Sequence, residues 1–335
     1  MSIKILRTAC GCMAAIGLIK ELVNRGVEVI CADANPLSVG LYYCKKGYVI
    51  PKGDDPSFIP KVLEISKKEH VNAILSGPEE EIIQIAKNKS VFLKEDIIPL
   101  VPEYESALIC FDKFKTYNFF IKNNIPTPKT IFLIKEEDKN NLKLDGLEFP
   151  VILKPRFGRG SKGVYIVNDN EELKFIISKY CKDSDYLIQE FVRGVECTID
   201  VFSDLKGNPL SIVPRKRLAV ESGIATKSQT FYNKKIINYI HKITEKLKLI
   251  GPSNIQCIID EKEGTPRFIE INPRFGGGSI LSIKADPTII ENLIRIVKGE
   301  KPIPSNGFRE GLIMLRYYSE VYILDSQIIK GDYNG

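Results

Sequence analysis

The stretch FIEINPRFGGGS, residues 268–279, constrains the fold of this chain more than any other, because it joins a charged strand to a run of glycines. Side chains alternate along a strand, so Glu270 and Asn272 share one face while the neighbouring isoleucines point into apolar packing. The proline that follows stops strand pairing, and Gly276–Gly278 allow the backbone to approach a ligand closely. The segment therefore predicts a strand of a packed sheet that ends in a binding loop.

The same stretch carries side chains suited to a metal and a phosphate group. Glu270 and Asn272 offer hard oxygen ligands for Mg²⁺, an ion that usually keeps several waters and takes further oxygens from substrate phosphates. Arg274 adds a planar fork of donors. An amphipathic strand ending in an ordinary turn is the alternative, and the attached P-R-x-G-G-G sequence favours the binding site over it.

Residues 1–101 alternate strands and helices in the order of a parallel α/β sheet. Four segments, IKIL, VEVICAD, VNAILSG and IIPLV, predict about four strands. The first connecting loop, TACGCMAAIG, lacks the G-x-G-x-x-G pattern, so we do not infer NAD. Such sheets bind ligands at the carboxyl ends of their strands, where we expect Asp33 and Glu79–Glu81. Acids at a helix start also complement its dipole, which explains Glu79–Glu81 equally well.

The rest of the chain predicts an antiparallel-rich α+β arrangement. Residues 149–167, FPVILKPRFGRGSKGVYIV, indicate two strands joined by a loop rich in glycine and cations, a form suited to folding over phosphates. A polar insertion at residues 135–146 predicts a surface loop, and residues 311–323 a closing strand. The sequence PRFGRGS at 155–161 resembles PRFGGGS at 273–279. Two loops that bring an arginine each to one triphosphate would explain this likeness; coincidence is the alternative.

Composition excludes several classes of protein. The 335 residues are 44% hydrophobic, and 48 Lys and Arg against 42 Asp and Glu give a formal net charge of +6. The lysines are scattered and no basic stripe interleaves with aromatic residues, so we expect no nucleic-acid interface. The eight cysteines lack C-x-x-C spacing and are expected to be reduced, buried thiols, while two histidines leave little for a zinc site or a catalytic triad. The uncharged run 8–19 is too short to span a membrane, and a cytoplasmic protein is expected.

Six motifs follow one another along the chain: DKFKTYNFFIKNNIPTPKT, VILKPRFGRGSKGV, LIQEFVRGVECTIDVF, VPRKRLAVESG, GPSNIQCIID and FIEINPRFGGG. Together they make the chain resemble the ATP-grasp superfamily, and within it the stand-alone proteins similar to the synthetase halves of carbamoyl-phosphate synthase large chain. The resemblance implies an α/β plus α+β fold: a Rossmann-like pre-ATP-grasp domain at residues 1–101, followed by a two-subdomain ATP-grasp fold. The first subdomain, 102–188, would carry the phosphate flap, and the second, 189–335, the metal and adenine sites.

The resemblance places nucleotide-binding roles on residues that match the family motifs. Two lysines would lie near the phosphates, residues 158–163 would form a mobile flap, the segment ending strand LIQE would pair with adenine, and Glu196 would hold the ribose. The residues implied are Lys113, Lys154, Gly158, Gly160, Ser161, Gly163, Glu190, Phe191, Val192 and Glu196. From the residues alone, Lys113 could equally be a surface charge and Glu196 the polar face of an alternating strand.

Metal and catalytic roles are implied in the same way. The metal ligands would be Gln256, Glu270 and Asn272, and the catalytic residues Arg274, Lys154 and Asn272. Position 256 is glutamine where many relatives carry glutamate, so a second metal would have one charge fewer to hold it. Arg215, Lys216 and Arg217 are candidates to face the substrate or the γ-phosphate, and the sequence does not decide which of them does.

The implied activity is that of an ATP- and Mg²⁺-dependent ligase, with Mn²⁺ able to substitute. It would phosphorylate a small carboxylate, bicarbonate or carbamate and pass the acyl group to an amine or a thiol, releasing ADP and phosphate. The expected partners are small-molecule carboxylate and amine substrates, with no nucleic acid and no membrane, and a homodimer is compatible with this. Two other functions stay open: a non-catalytic ATP-binding regulatory protein, and a phosphotransferase that releases an acyl-phosphate or a carbamoyl-phosphate-like product.

Overall fold

The computed structural model describes residues 3–133, 144–181, 185–221 and 223–330. The surface loop predicted at residues 135–146 lies largely outside these ranges. The described residues form three sheets, which follow one another in sequence. Their order along the chain, a parallel α/β unit and then two antiparallel sheets, agrees with the predicted fold class.

The N-terminal unit is built on a parallel sheet. Its elements are β1 (Lys4–Arg7), α1 (Met13–Asn24), β2 (Glu28–Asp33), α2 (Val39–Tyr43), β3 (Lys46–Val49), α3 (Phe58–Glu69), β4 (Ala73–Leu75), α4 (Glu79–Lys87), α5 (Lys89–Leu93) and β5 (Ile98–Pro99). Helix α1 buries Ala15, Leu18, Ile19 and Leu22, which share one helical face, and Gly26 at φ +76° turns the chain toward β2.

The described part of this sheet has five strands, in the order β3-β2-β1-β4-β5, rather than the four predicted. Strand β3 is the additional one. It pairs only with β2 at the edge of the sheet, and its residues are exposed or half-buried. An edge strand of this kind needs no apolar run, so the sequence pattern does not mark it.

The second and third sheets carry the rest of the described chain. The second unit consists of α6 (Tyr104–Phe111), α7 (Lys113–Lys122), β6 (Thr130–Leu133), β7 (Val151–Pro155), β8 (Tyr165–Val167), α8 (Asn170–Tyr180) and β9 (Tyr186–Glu190). The third consists of β10 (Gly194–Ser203), β11 (Pro209–Glu221), β12 (Ile224–Thr230), α9 (Lys234–Leu247), β13 (Gly251–Asp260), β14 (Pro266–Asn272), α10 (Ser279–Ala285), α11 (Thr288–Val297), β15 (Ile313–Leu315) and a 3₁₀ turn (Asp325–Gln327). Within the described residues the strand orders are β6-β9-β7-β8 and β14-β13-β10-β11-β12-β15.

One hydrophobic core joins the first sheet to the third. Leu18 of α1 belongs to the same buried cluster as Phe202 of β10, Ile283 of α10 and Leu293 of α11. An ion pair between Lys284 of α10 and a glutamate of α1 accompanies this contact. Because α10 follows the glycine loop directly, the shared core holds that loop at a fixed distance from the carboxyl edge of the first sheet.

Two further predictions, one about the cysteines and one about the closing strand, are wrong. Cys31 and Cys44 are joined in a disulfide and Cys12 is exposed, so the cysteines are not all reduced, buried thiols. No sequence motif marks these two cysteines, which are 13 positions apart in the chain. The pairing of β2 with β3 brings their Cα atoms to 6.0 Å. The closing strand predicted at 311–323 shortens to Ile313–Leu315, because β12 pairs with it over that stretch alone.

In the described ranges, no helix is both long enough and apolar enough to cross a bilayer.

Candidate functional site

Polar side chains form a row on one face of the β13–β14 pair. The antiparallel register places Gln256 opposite Glu270, and Asn254 opposite Asn272. Asn272 Nδ2 donates to Glu270 Oε1 at 2.8 Å, and Arg274 Nη2 lies 3.3 Å from Asn272 Oδ1. The three residues predicted as metal ligands and the arginine predicted at the terminal phosphate therefore lie side by side.

The glycine loop after Arg274 is closely packed. A Cβ atom at Gly276 would stand 2.4 Å from Asn254 Nδ2, and one at Gly278 would stand 2.5 Å from Arg215 Nη1. Real Cβ atoms do not approach other atoms so closely, so side chains are excluded from this loop. Helix α10 begins at Ser279, whose Oγ accepts from the Gly276 N–H at 2.7 Å. This helix was absent from the predicted elements, since the glycine run hides its start.

Lys154 lies on β7 and is 8% exposed. Its Nζ donates to Gln189 Oε1 at 2.8 Å. Burial lowers the pKa of Lys154 to about 8; the charge of Glu270 opposes this shift and that of Lys113 adds to it. Lys154 therefore lies within the electrostatic reach of both residues. A buried lysine beside the row of metal residues is suited to a phosphate oxygen.

Helix α7 positions Lys113, whose Nζ donates to the carbonyl oxygen of Gly158 at 2.7 Å. The helix starts there because the Asp112 side chain accepts two N–H groups of the first turn. Asp112 also accepts from Arg156 Nε at 2.9 Å and Nη2 at 2.6 Å. This pair ties the start of α7 to the end of β7, so Lys113 and the following loop are held together.

Residues 156–164 connect β7 to β8 and include residues 158–163, the segment predicted to form the flap. Four residues of this fully described loop have positive φ, which L side chains rarely adopt: Gly158 (+124°), Gly160 (+68°), Ser161 (+58°) and Gly163 (+72°). Arg159 forms an ion pair with Glu80 at 3.1 Å, across the cleft. Gly160 packs closely against Gly223: a Cβ atom added to Gly223 would lie 2.9 Å from the Gly160 Cα. The loop therefore covers the cleft from the β11–β12 turn to the first sheet.

A cavity of about 610 Å³ lies between the carboxyl edge of the first sheet and the third sheet. One wall comes from the strand-end loops predicted at that edge, including Asp33 and Pro78. The opposite wall comes from Gln256, Arg274 and the glycine loop. Gln256 and Arg274, two members of the polar row, are thus open to a space large enough for a small metabolite, whereas Glu270 and Asn272 line a smaller cavity that Arg274 also lines.

The three acids at the start of α4 have different surroundings. Glu79 is half-buried and lines a smaller cavity with Lys113 and Glu270. Burial raises the pKa of Glu79 to about 7, and the charge of Lys113 opposes the shift. Glu80 pairs with the flap, whereas Glu81 is buried and accepts from two hydroxyl groups of its own domain. A helix-dipole role does not account for the position of Glu79 in the cleft.

The three cations of β11 do not share one face of the strand. Arg215 and Arg217 line the cavity, whereas Lys216 points to the other face, with Nζ 5.4 Å from the centre of the Phe231 ring. Arg217 Nη1 binds the carboxylate of Glu196, the residue predicted to hold the ribose. The ribose-binding role of Glu196 stays a prediction.

The predicted adenine segment lies apart from this cavity. Glu190, Phe191 and Val192 follow the end of β9 and are not among the residues that line it. The Glu190 N–H donates to the carbonyl of Lys129 at 2.8 Å, and its carboxylate accepts from the Lys129 N–H at 3.0 Å. Contact with adenine stays a prediction for these residues.

Two buried charged residues at the site were not among the predicted site residues. Arg7 ends β1, donates to the Leu75 carbonyl at 3.1 Å and lines the cavity. Asp200 lies within the apolar strand β10 and binds Arg215. Two features of the sequence could have marked these residues. Arg7 is a charge at the carboxyl end of a buried parallel strand, and Asp200 is an acid within an apolar strand, where it needs a buried partner.

Known proteins share this architecture and parts of this sequence. A family model described as an ATP-grasp domain matches residues 110–278, and one described as a PylC-like N-terminal domain matches residues 5–100. The carbamoyl phosphate synthase large chain of Clostridium botulinum (strain Loch Maree / Type A3) is 28% identical over 315 residues, which are 89% of this chain and 28% of that protein. The phosphoribosylamine–glycine ligase of Thermococcus gammatolerans is 29% identical over 313 residues, 85% of this chain and 68% of that protein.

A solved structure shows the same fold at low identity. The biotin carboxylase domain of the Hydrogenobacter thermophilus 2-oxoglutarate carboxylase, a dimer in complex with MgADP, ADP and bicarbonate, has a TM-score of 0.71 and 17% identity. The match covers 93% of this chain and 74% of that one. The chain spans less than a third of the length of the synthase large chain named above, so the activity of that whole protein is not transferred to it. The domain match over half of the chain, with the fold and the row of polar residues, shows that this chain belongs to the ATP-grasp family.

Proposed function

We propose that the protein is an ATP- and Mg²⁺-dependent ligase that activates a small carboxylate as an acyl-phosphate and joins it to an amine, or to a thiol. The observation that carries the proposal is the row Gln256, Glu270, Asn272 and Arg274, whose members line two cavities that share Arg274, next to the glycine loop. The named relatives support it, since one is a ligase of an amine and glycine and another a carbamoyl phosphate synthase.

The donor chemistry of the row fits magnesium. Glu270 supplies a carboxylate, and Gln256 and Asn272 supply amide oxygens once the Asn272 amide, whose nitrogen now faces Glu270, rotates by half a turn. Among the described residues, no group of three or more His, Cys, Asp or Glu could hold a metal ion. The remaining oxygens would come from substrate phosphates, as is usual for Mg²⁺. When bound, the ion would offset negative charge on the phosphates.

Two lysines and the flap would hold the nucleotide phosphates. Lys154 is fixed by Gln189, while Lys113 donates to a flap carbonyl that phosphate oxygens could replace. The flap glycines leave backbone N–H groups accessible at short range. A closed flap also excludes water, which would otherwise hydrolyse an acyl-phosphate.

Arg274 and the glycine loop would serve the acyl transfer. A substrate carboxylate oxygen attacks the γ-phosphorus and ADP leaves; an amine then attacks the acyl carbon, loses a proton, and phosphate leaves with the shared oxygen. The Arg274 fork and the Gly276–Gly278 backbone would stabilise negative charge on the tetrahedral intermediate. The described residues contain no Ser-His-Asp arrangement near the cavity, so no covalent side-chain nucleophile is invoked.

The proposal is tested with Glu270→Gln, which keeps the shape of the side chain and removes its charge. We expect ADP release at limiting Mg²⁺, assayed with mixed carboxylates and amino acids, to fall at least about a hundredfold with an unchanged melting temperature. Glu263→Gln is the matched control, because Glu263 is exposed on the same hairpin and pairs with Arg267. Unchanged turnover in Glu270→Gln would remove this residue from the site.

Isotope transfer tests the reaction class. Oxygen-18 in the substrate carboxylate should appear in the released phosphate, and its absence would exclude an acyl-phosphate. Nucleotide binding without ADP release would indicate a regulatory protein. Hydroxamate formation with hydroxylamine, but no amide with any amine, would indicate a phosphotransferase.

A further inference from the structure

More arginines line the large cavity than the proposed nucleotide chemistry requires. The charged residues lining the 610 Å³ cavity, among those the structure describes, are Arg7, Arg159, Arg215, Arg217, Arg274 and Asp33. Arg159 and Arg217 have carboxylate partners in Glu80 and Glu196, and Arg274 is assigned to the acyl transfer. Arg7 and Arg215, on opposite walls, therefore have no role in the proposed reaction, although Arg215 forms an ion pair with Asp200 through Nε.

Arg215 is held rigidly by a buried carboxylate. Its side chain is 3% exposed, and Nε donates to Asp200 Oδ2 at 2.8 Å. Asp200 also accepts from Asn254 Nδ2 at 2.7 Å, Ser279 Oγ at 2.7 Å and Ser282 Oγ at 2.6 Å. Burial opposes ionisation of Asp200, but the charge and hydrogen bond of Arg215 outweigh it, so the pKa of Asp200 lies below its ordinary value. Such a fully bonded carboxylate fixes the direction in which the guanidinium points.

The two Nη groups of Arg215 are free for a ligand. Within the described ranges, the bond from Nε to Asp200 is the only hydrogen bond that the Arg215 side chain makes to protein. The guanidinium lies flat against the glycine loop, where a Cβ at Gly278 would stand 2.5 Å from Nη1 and 2.6 Å from Cζ. Arg316 approaches the same loop, with Nη2 donating to the Gly277 carbonyl at 2.6 Å and Nη1 buried without a partner. The positive charge is thus directed at the place where the acyl group would be transferred.

We propose that Arg215 binds a substrate carboxylate that takes no part in the reaction. The inference rests on the proposed function, and it narrows the substrates to small metabolites with one carboxylate beyond the activated one. A planar fork with two free Nη groups matches the two oxygens of a carboxylate. A carboxylate held by both oxygens is a poor nucleophile, so this position suits anchoring rather than phosphorylation. Asp200 acts through Arg215 as a positioning residue.

The spare carboxylate could belong to an amino-acid acceptor or to a dicarboxylic donor, and paired probes separate the two. ADP release with Mg-ATP is measured for each L-amino acid against its α-carboxamide, and for succinate and glutarate against their monoamides. In one of the two arms, we expect kcat/KM for the free acid to exceed that for its amide at least about tenfold. Equal rates for acids and amides, or no stimulation by any free acid, would overturn the inference.

Arg215→Met should raise KM for the acid found in this way at least about tenfold, while leaving the Kd of Mg-ATP within about twofold. Lys216→Met is the matched control, because it removes the same charge from the same strand on the opposite face. If Arg215→Met fails to fold because Asp200 loses its partner, Arg215→Lys keeps a positive charge beside Asp200 and removes the fork of two Nη groups. A KM unchanged in the folded variant would overturn the inference.

The Kd of Mg-ATP for the wild-type protein separates the two levels of proposal. Absent nucleotide binding would refute the proposed function. Nucleotide binding and turnover, with no preference for a spare carboxylate, would refute only the role of Arg215.

Discussion

Arg156 and Arg274 occupy the same position in two nearly identical loops, PRFGRGS and PRFGGGS, yet their surroundings differ. Arg156 binds Asp112 through Nε and Nη2, and Asp185 through Nη1 at 3.1 Å. Among the described residues, Arg274 makes long contacts alone: Nη2 lies 3.3 Å from Asn272 Oδ1 and Nη1 lies 3.4 Å from the Phe275 carbonyl oxygen. Burial lowers the pKa of Arg274, as expected for a guanidinium that lacks a full set of partners. Arg156 is a structural clamp, whereas Arg274 is available to a ligand.

The residues that follow diverge in the same way. Phe157 is 52% exposed, whereas Phe275 is buried at 9% and stacks on Phe202. The glycines of the first loop adopt positive φ, whereas those at 276–278 are needed because neighbouring side chains approach closely. The interpretation that both loops bring an arginine to one triphosphate is therefore wrong for Arg156. A shared heptapeptide does not assign a shared role, because the partners come from elsewhere in the chain.

The largest effect is expected from Arg274→Lys. A point charge replaces a planar fork, so the loss should appear in kcat, by about two orders of magnitude, which is about 3 kcal/mol of transition-state stabilisation. Mg-ATP affinity should change far less. Steady-state ADP release and nucleotide titration measure the two quantities, and Arg156→Lys serves as the control in the other loop. Equal losses in binding and turnover would make Arg274 an anchor for the nucleotide.

Arg156→Met should affect stability rather than chemistry. It leaves the buried carboxylate of Asp112 without its charged partner, at a cost of about 2 kcal/mol in the free energy of unfolding. Burial raises the pKa of Asp112, but the Arg156 bond outweighs it and the pKa is lowered. The pair therefore stabilises the fold above the unfolded pKa of this aspartate, and the contribution is lost as pH falls through the folded one. Urea titrations should show wild type and variant converging at low pH; a constant difference would contradict this.

Lys154 should make nucleotide affinity depend on pH. Its pKa of about 8 means that the free protein loses this charge as pH rises from 7 to 9, which should weaken Mg-ATP binding about tenfold. Lys154→Arg keeps the charge and should flatten the profile over this range. Calorimetric titrations at several pH values test this, and an equally steep profile in Lys154→Arg would assign the dependence to another group.

The smallest effect is expected in the flap. Residues 158–163 are predicted to be mobile without nucleotide and ordered with it, since three glycines favour an open loop and phosphates would offset the ordering cost. A stabilisation of about 1 kcal/mol would slow tryptic cleavage at Arg159 or Lys162 about fivefold. Cleavage at Lys206, in the exposed β10–β11 turn, is the internal control. Equal rates with and without Mg-ATP would show that the loop is not a nucleotide flap.

Local periodicity was enough to predict part of the site. Glu270 and Asn272 share a face because side chains alternate on any strand, and the β7–β8 hairpin follows from a glycine-rich loop between two apolar runs. Helices α1, α3 and α4 of the N-terminal unit follow from their own apolar spacing, whereas the short helices α2 and α5 were not predicted. The ATP-grasp resemblance depends on such ordered local motifs, and this explains why the family could be recognised before any contact was known.

The partners of the charged residues were decided by the tertiary structure alone. Asp200 and Arg215 meet across the β10–β11 pair, and Arg156 finds Asp112 on a helix 44 positions earlier in the chain. The sequence could not tell Arg215 from Lys216, since their faces depend on which side of β11 the core packs. Alternation along a strand is a property of that strand alone. The partner of a side chain depends on how distant strands are aligned, and a local sequence pattern carries no information about that alignment.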